Sequence, residues 1–153
     1  MNQAHGIVIA LSTSKEKGTP KSNREEVRLI ENWGIEGDAH AGNWHRQVSL
    51  LAMESIEKIH ALGLAVRPGA FAENITTRGV DLLTLRIGDR IRVGDAELEI
   101  TQIGKECHQR CAIFEQVGDC VMPKEGLFAR VLQAGIIRAG DAVTRVRRDS
   151  TVD

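Results

Sequence analysis

Three cysteines fall within fourteen residues of this chain, at Cys107, Cys111 and Cys120, and cationic neighbours surround the first. Lys105, His108 and Arg110 flank Cys107 at the end of an alternating segment, and positive neighbours favour the thiolate. A thiolate attacks electrophiles or binds soft metals. The spacing Cys-x3-Cys-x8-Cys with His108 supplies four candidate zinc ligands. It lacks paired Cys-x2-Cys knuckles, and a histidine adjacent to Cys107 would strain a tetrahedron, which argues against structural zinc. Thioredoxin-like redox chemistry requires Cys-x-x-Cys and is not encoded. The blander alternative is that these cysteines are inert small hydrophobes.

A second group lies between Gly37 and Ser49. Asp38, His40, Arg46 and Ser49 offer donors and acceptors, and Gly37 and Gly42 allow close approach of the backbone to a ligand. The alternative is a tight turn in which the aspartate serves its own backbone. A third group, from Phe71 to Thr77, places Asn74, Thr76 and Thr77 where they could line a polar site. Lys21 and Arg130 are single cations, uninformative by themselves.

These groups must be positioned by strands, because hydrophobic periodicity is mostly two. His5 to Leu11 reads as a buried first strand, followed by a polar loop from Ser12 to Asn23. Val27, Leu29 and Glu31 suggest a second strand, Gly34 to Gly42 a structured loop, and Arg46 to Leu51 a further strand. Met53, Ile56, Ile59 and Leu62 recur at helical spacing, so Ala52 to Leu62 is the one clear helix, stopped by Gly63. Strands are then expected over Phe71 to Thr77, Asp89 to Val93, Glu97 to Ile103 and Ala142 to Val146. Gly94 and Asp95 make a hairpin turn between the second and third of these. Leu127 to Leu132 reads as a strand or a short second helix. The expectation is a mainly β fold, an antiparallel barrel or half-open sheet with a helix plugging or flanking it. Strands and helices do not alternate, which disfavours a Rossmann arrangement.

The chain has 153 residues, enough for a single domain over residues 1–146 with a frayed tail at 147–153. Twenty basic residues against 21 acidic ones give a net charge of −1, and only two Trp, three Phe and no Tyr are present. Neither an electrostatic footprint nor a stacking platform for nucleic acid is evident. No apolar run reaches the roughly 20 residues needed to cross a bilayer. The amino terminus lacks a signal-peptide pattern, and three closely spaced cysteines suit a reducing compartment, so the cytoplasm is the expected location.

In order along the chain, several segments resemble the MOSC family, named after the C-terminus of molybdenum cofactor sulfurases. They are the loop with Gly37, Asp38, His40 and Gly42; the strand from Arg46 to Leu50; Phe71 to Thr77; the turn from Leu85 to Asp89; and the Cys107 region. The likeness spans about Gly6 to Val146 and is to the short, stand-alone bacterial form. It implies a β-barrel-rich fold and a bound molybdenum cofactor, a pterin dithiolene carrying a phosphate. It further implies that Cys107 is the reactive cysteine and molybdenum ligand. Lys21, Arg46 and Asn74 sit at the family's cofactor-contacting positions, with Asp38, His40, Thr76, Lys105 and Arg130 completing the expected polar set. The chain departs from the amidoxime-reducing branch by having Ala72 and Glu73 where Arg-Pro is common. That exchange removes a cation and adds a carboxylate, which Lys105 or Arg130 would have to offset.

The resulting expectation is a molybdenum-cofactor oxidoreductase acting on small N-hydroxylated compounds and fed by an external flavin or iron–sulfur electron donor. The alternative is a sulfur carrier using a Cys107 persulfide and a sulfur donor, with Cys111 and Cys120 as resolving thiols. A zinc-stabilised, non-catalytic module ranks last.

Overall fold

The computed structural model describes residues 5–16, 20–63, 66–104 and 125–146. Its strands are β1 (His5–Thr13), β2 (Ser22–Arg24), β3 (Glu26–Ile30), β4 (Gly34–Ile35), β5 (Val48–Ala52), β6 (Ile75–Arg78), β7 (Arg90–Val93), β8 (Ala96–Ile103), β9 (Leu127–Gln133), β10 (Gly135–Arg138) and β11 (Ala142–Arg145). Helix α1 (Met53–His60) follows β5 directly, and a 3-10 turn covers Leu82–Thr84.

Seven strands close into a barrel in the order β11-β7-β8-β9-β5-β6-β1, and β1 pairs back onto β11. All of these pairings are antiparallel except β5 with β6. β2 extends the far end of β1, while β10, β3 and β4 form a small second sheet. Period-two alternation fills the barrel. In β8, Ala96, Leu98 and Ile100 are fully buried, whereas Glu97 and Glu99 turn outward to Arg90, Arg92 and Arg130.

β5 is buried on both faces. Val48, Leu50 and Ala52 join the barrel core, while Leu51 joins Ile56, Ile59, Phe71 and Phe128 beneath the helix. That second cluster anchors α1 outside the barrel, and burying each such side chain contributes roughly 1.5–3 kcal/mol. The helix therefore flanks the barrel. Leu62, expected on its apolar face, is 54% exposed, because α1 ends at His60 and the chain turns away at Gly63 with φ +100°.

Further differences from the expected elements have local causes. Leu127 onward is a strand because Leu127, Ala129 and Val131 alternate into the core. The strand expected from Phe71 begins only at Ile75. Residues 68–74 turn instead, and Ala72 adopts φ 66°. The region read as one loop from Ser12 to Asn23 contains the end of β1 and the start of β2, which pair through Leu11–Arg24, Ser12–Asn23 and Thr13–Ser22. β4 lies inside the expected Gly34 to Gly42 loop, and β10 was not anticipated by the alternation rule.

Candidate functional site

The end of β1, the residue before β2 and the loop after β4 bring Ser14, Lys21, Asp38 and His40 together. Lys21 and Asp38 have side chains with 0% exposure, and Lys21 Nζ lies 2.9 Å from Asp38 Oδ1. The ammonium also donates to Ser14 Oγ at 3.0 Å. Asp38 Oδ1 further accepts the Ser14 N–H, and Oδ2 accepts the His40 N–H, both at 3.0 Å. Burial by itself would raise the Asp38 pKa. The opposing contributions of His40, Lys21 and the two backbone N–H donors prevail and hold the carboxyl well below the usual carboxylate range. Asp38 is therefore an anion throughout the physiological range, buried but matched.

His40 Nδ1 lies 3.7 Å from Asp38 Oδ2, beyond hydrogen-bond distance, and is a buried polar atom without a hydrogen-bond partner among the described residues. The imidazole stacks parallel to Trp44, with ring centroids 6.4 Å apart, and Trp44 Nε1 donates to the His40 carbonyl at 2.8 Å. Beyond Trp44 lies Arg46. Its guanidinium carbon is 5.9 Å from the Trp44 ring centroid and 5.3 Å from that of Phe128. Arg46 Nε donates to Gln102 Oε1 at 3.0 Å. The two Nη atoms have no partner among the described residues, so a half-buried cation is held in place with its fork available. Gln102 Nε2 donates to the Gly104 carbonyl at 2.8 Å, and the Gly104 N–H donates to Gly126 O at 2.7 Å. Gly104 and Gly126 thus meet beside the residue that orients Arg46.

Asn74 adjoins this group in a different role. Its Oδ1 accepts from the Ser49 N–H at 2.9 Å and from Ser49 Oγ at 3.1 Å, while Nδ2 donates to the Ser12 carbonyl at 3.1 Å. The fully buried amide therefore ties β5, β6 and β1 together. Thr76 Oγ1 donates to Glu73 Oε2 at 2.9 Å. The same carboxylate accepts the Gly69 N–H at 2.7 Å and, through Oε1, the Phe71 N–H at 3.2 Å. Glu73 is 0% exposed with only neutral donors recorded around it, and burial pushes its pKa up despite those hydrogen bonds. The carboxylate that the sequence suggested would oppose an anionic ligand is turned into its own turn.

The structure thus brings Lys21, Asp38 and His40 into one network and links Arg46 to it through Trp44. Asn74 and Thr76 have partners within the fold. Arg130 stands on the outer face of β9, with Nε 2.6 Å from Glu99 Oε1. Lys105 and Cys107, like His108, Arg110, Cys111 and Cys120, lie outside the described residues. Among the described residues, no three His, Cys, Asp or Glu side chains converge as metal ligands, and no helix is long and apolar enough to cross a membrane. Ser14, Trp44 and Gln102 were not singled out from sequence. Ser14 sat in an expected loop, and Gln102 read only as an outward position of an alternating strand.

A family model described as the MOSC domain matches residues 37–144. The fold is similar to the crystal structure of the YuaD protein from Bacillus subtilis, with a TM-score of 0.79 and 19% identity over 96% of this chain and 99% of that one. YiiM from Geobacillus stearothermophilus aligns with a TM-score of 0.68 and 22% identity, covering 95% of this chain and 77% of that one. YiiM from Escherichia coli gives 0.65 and 22%, covering 94% and 71%. At these identities the likeness is one of fold. The comparison with curated proteins found no match.

Proposed function

Because this chain belongs to the MOSC domain family, a family associated with molybdenum cofactor binding or sulfurase-like functions, we propose that it binds the molybdenum cofactor beside Arg46 and His40 and reduces small N-hydroxylated compounds. The observation that carries this reading is a pair of polar groups, each packed against Trp44, with donor capacity left over among the described residues. Arg46 has an available guanidinium fork between Trp44 and Phe128, and His40 Nδ1 is buried without a hydrogen-bond partner among the described residues. An anionic, nitrogen-rich pterin fits such a donor set, since a buried polar atom gains free energy by finding a partner.

In this reading Arg46 holds an anionic part of the cofactor. Trp44 and Gln102 keep the guanidinium from swinging away, and the Lys21–Asp38 pair fixes the loop that presents His40. Lys21 itself is neutralised by Asp38 and contributes chiefly through that loop. Cys107 is the proposed metal ligand. It follows Gly104 by three residues in the sequence, and the Gly104 carbonyl accepts from the glutamine that orients Arg46. The bound cofactor would supply two-electron redox chemistry that protein side chains lack. Electrons are assigned to an external flavin or iron–sulfur donor.

The test is metal analysis of protein produced in a molybdate-supplied host, as wild type, Cys107→Ala and Arg46→Gln, followed by reduction assays on hydroxylamino compounds. Near-stoichiometric molybdenum in the wild type, lost in Cys107→Ala and diminished in Arg46→Gln, is expected. Its absence from the wild type would refute a resident cofactor. A second reading, a Cys107 persulfide carrier, is favoured by the further thiols Cys111 and Cys120. It is recognised by added sulfur mass on Cys107 in protein kept unreduced.

A further inference from the structure

Ser14 also lines a groove of about 530 Å³ between the large barrel and the small sheet, with walls from β1, β2, β3, β10 and the two residues after β4. We propose that this groove is a binding site for a phosphoryl group, the dianionic end of a phosphomonoester. Its charges are unevenly matched. Glu26 is paired with Arg138 at 3.0 Å, and Glu36 faces Arg28 at 3.8 Å, so each carboxylate has its own arginine. Lys15 and Arg24 have no acidic partner among the described residues, which leaves two cations over.

Arg24 is also oriented. Its Nε donates to the buried Thr13 hydroxyl at 3.0 Å, so the guanidinium is held at the groove while both Nη atoms remain available. Gly37 supplies a stretch of rim without a side chain, at φ +83° and with nothing within 4 Å of where a Cβ would sit. Its N–H has no partner among the described residues. Donors therefore approach from three separate elements. A tetrahedral group with several terminal oxygens can satisfy them together, whereas a planar carboxylate meets one fork.

Occupancy would be felt at the candidate site. Ser14 lines the groove, its N–H and hydroxyl bond Asp38 and Lys21, and its carbonyl accepts the Ala39 N–H at 2.8 Å. The inference rests on the groove and not on the cofactor assignment.

Calorimetric titration with inorganic phosphate, at constant ionic strength set with sodium chloride, tests it. Saturable binding is expected, weakened at least tenfold in Lys15→Gln/Arg24→Gln and unchanged in Arg90→Gln/Arg92→Gln on β7, outside the groove lining. Malonate, a carboxylate dianion, should bind at least tenfold more weakly than phosphate. Both double variants alter exposed side chains, and circular dichroism verifies their folding. Binding that does not saturate, an affinity unchanged in Lys15→Gln/Arg24→Gln, or malonate binding as tightly as phosphate would each overturn the proposal. If molybdenum-loaded protein binds phosphate as the cofactor-free protein does, the ligand is an independent phosphomonoester. If loading blocks phosphate, the groove belongs to the cofactor site and the separate phosphoryl site proposed here is overturned.

Discussion

The Lys21–Asp38 pair offers a quantitative check on how the candidate site is held. Both side chains are fully buried, so each variant that removes one charge strands the other. Lys21→Met leaves the Asp38 carboxylate with the Ser14 and His40 N–H groups but no counter-charge. Asp38→Asn leaves an ammonium with neutral acceptors only, the amide oxygen and Ser14 Oγ. Breaking a buried pair from one side typically costs about 3–5 kcal/mol. Each single variant should therefore lose about that much, a fall in Tm of roughly 6–20 °C for a chain of this size. Lys21→Met/Asp38→Asn carries no buried charge and should cost little more than either single change, giving a coupling energy of about 3 kcal/mol. Urea unfolding of all four proteins at pH 7 measures it. Additivity within about 0.5 kcal/mol would refute the argument, because independent sites behave that way. The acid limb adds a signature. The folded Asp38 pKa is lowered, so its stabilisation is complete above the unfolded value of about 3.9 and is lost as pH falls below it. Asp38→Asn should show a shallower acid limb than the wild type.

Two other perturbations probe the turn on which Lys21 rests. Glu73 has the opposite sign: its folded pKa is raised, so the carboxylate costs stability increasingly as pH rises above about 4.3. Relative to wild type, Glu73→Gln should therefore gain between pH 4 and pH 7 in thermal unfolding, and a pH-independent difference would contradict the assignment. Gly69 has φ +97°, and an added Cβ would lie 2.4 Å from the Lys21 carbonyl and 3.0 Å from Ser12 Oγ. Gly69→Ala should lose about 2–5 kcal/mol from strain and overpacking together. Gly63→Ala, at φ +100° but in open space, should lose only about 1 kcal/mol, and equal Tm losses would show that the contact with Lys21 is immaterial.

What the sequence disclosed follows from which interactions are local. The β7–β8 hairpin was legible because Glu97 and Glu99 face solvent while Leu98 and Ile100 do not, which leaves an alternating record. β10 left none: in Gly-Ile-Ile-Arg, Ile136 is half-buried beside buried Ile137, so the two faces do not contrast. At the site, residue types were informative and their partnerships were not. Lys21 and Asp38 are 17 positions apart and meet only because β1, β2 and β4 converge. Glu73 shows the same limit. Its charge is visible in a string of letters, but the N–H groups of Gly69 and Phe71 that turn it inward exist only once residues 68–74 have folded into a turn.

The barrel also has a parity. Strands that alternate up and down around a closed ring must be even in number, so a ring of seven contains at least one neighbouring pair running the same way. Here that pair is β5 and β6, with Leu50 opposite Ile75. Parallel neighbours cannot be joined by a tight hairpin and need a crossover, which is the route taken through α1. Helix and odd strand count are thus one requirement expressed twice. A same-way pair also delivers two strand beginnings to one rim, where the antiparallel β1 ends. Ser49 and Asn74 arrive there side by side, opposite Ser12. A fully antiparallel ring of even count would send one of those beginnings to the opposite rim, so the parallel pair that an odd count requires helps determine which side chains can share the site.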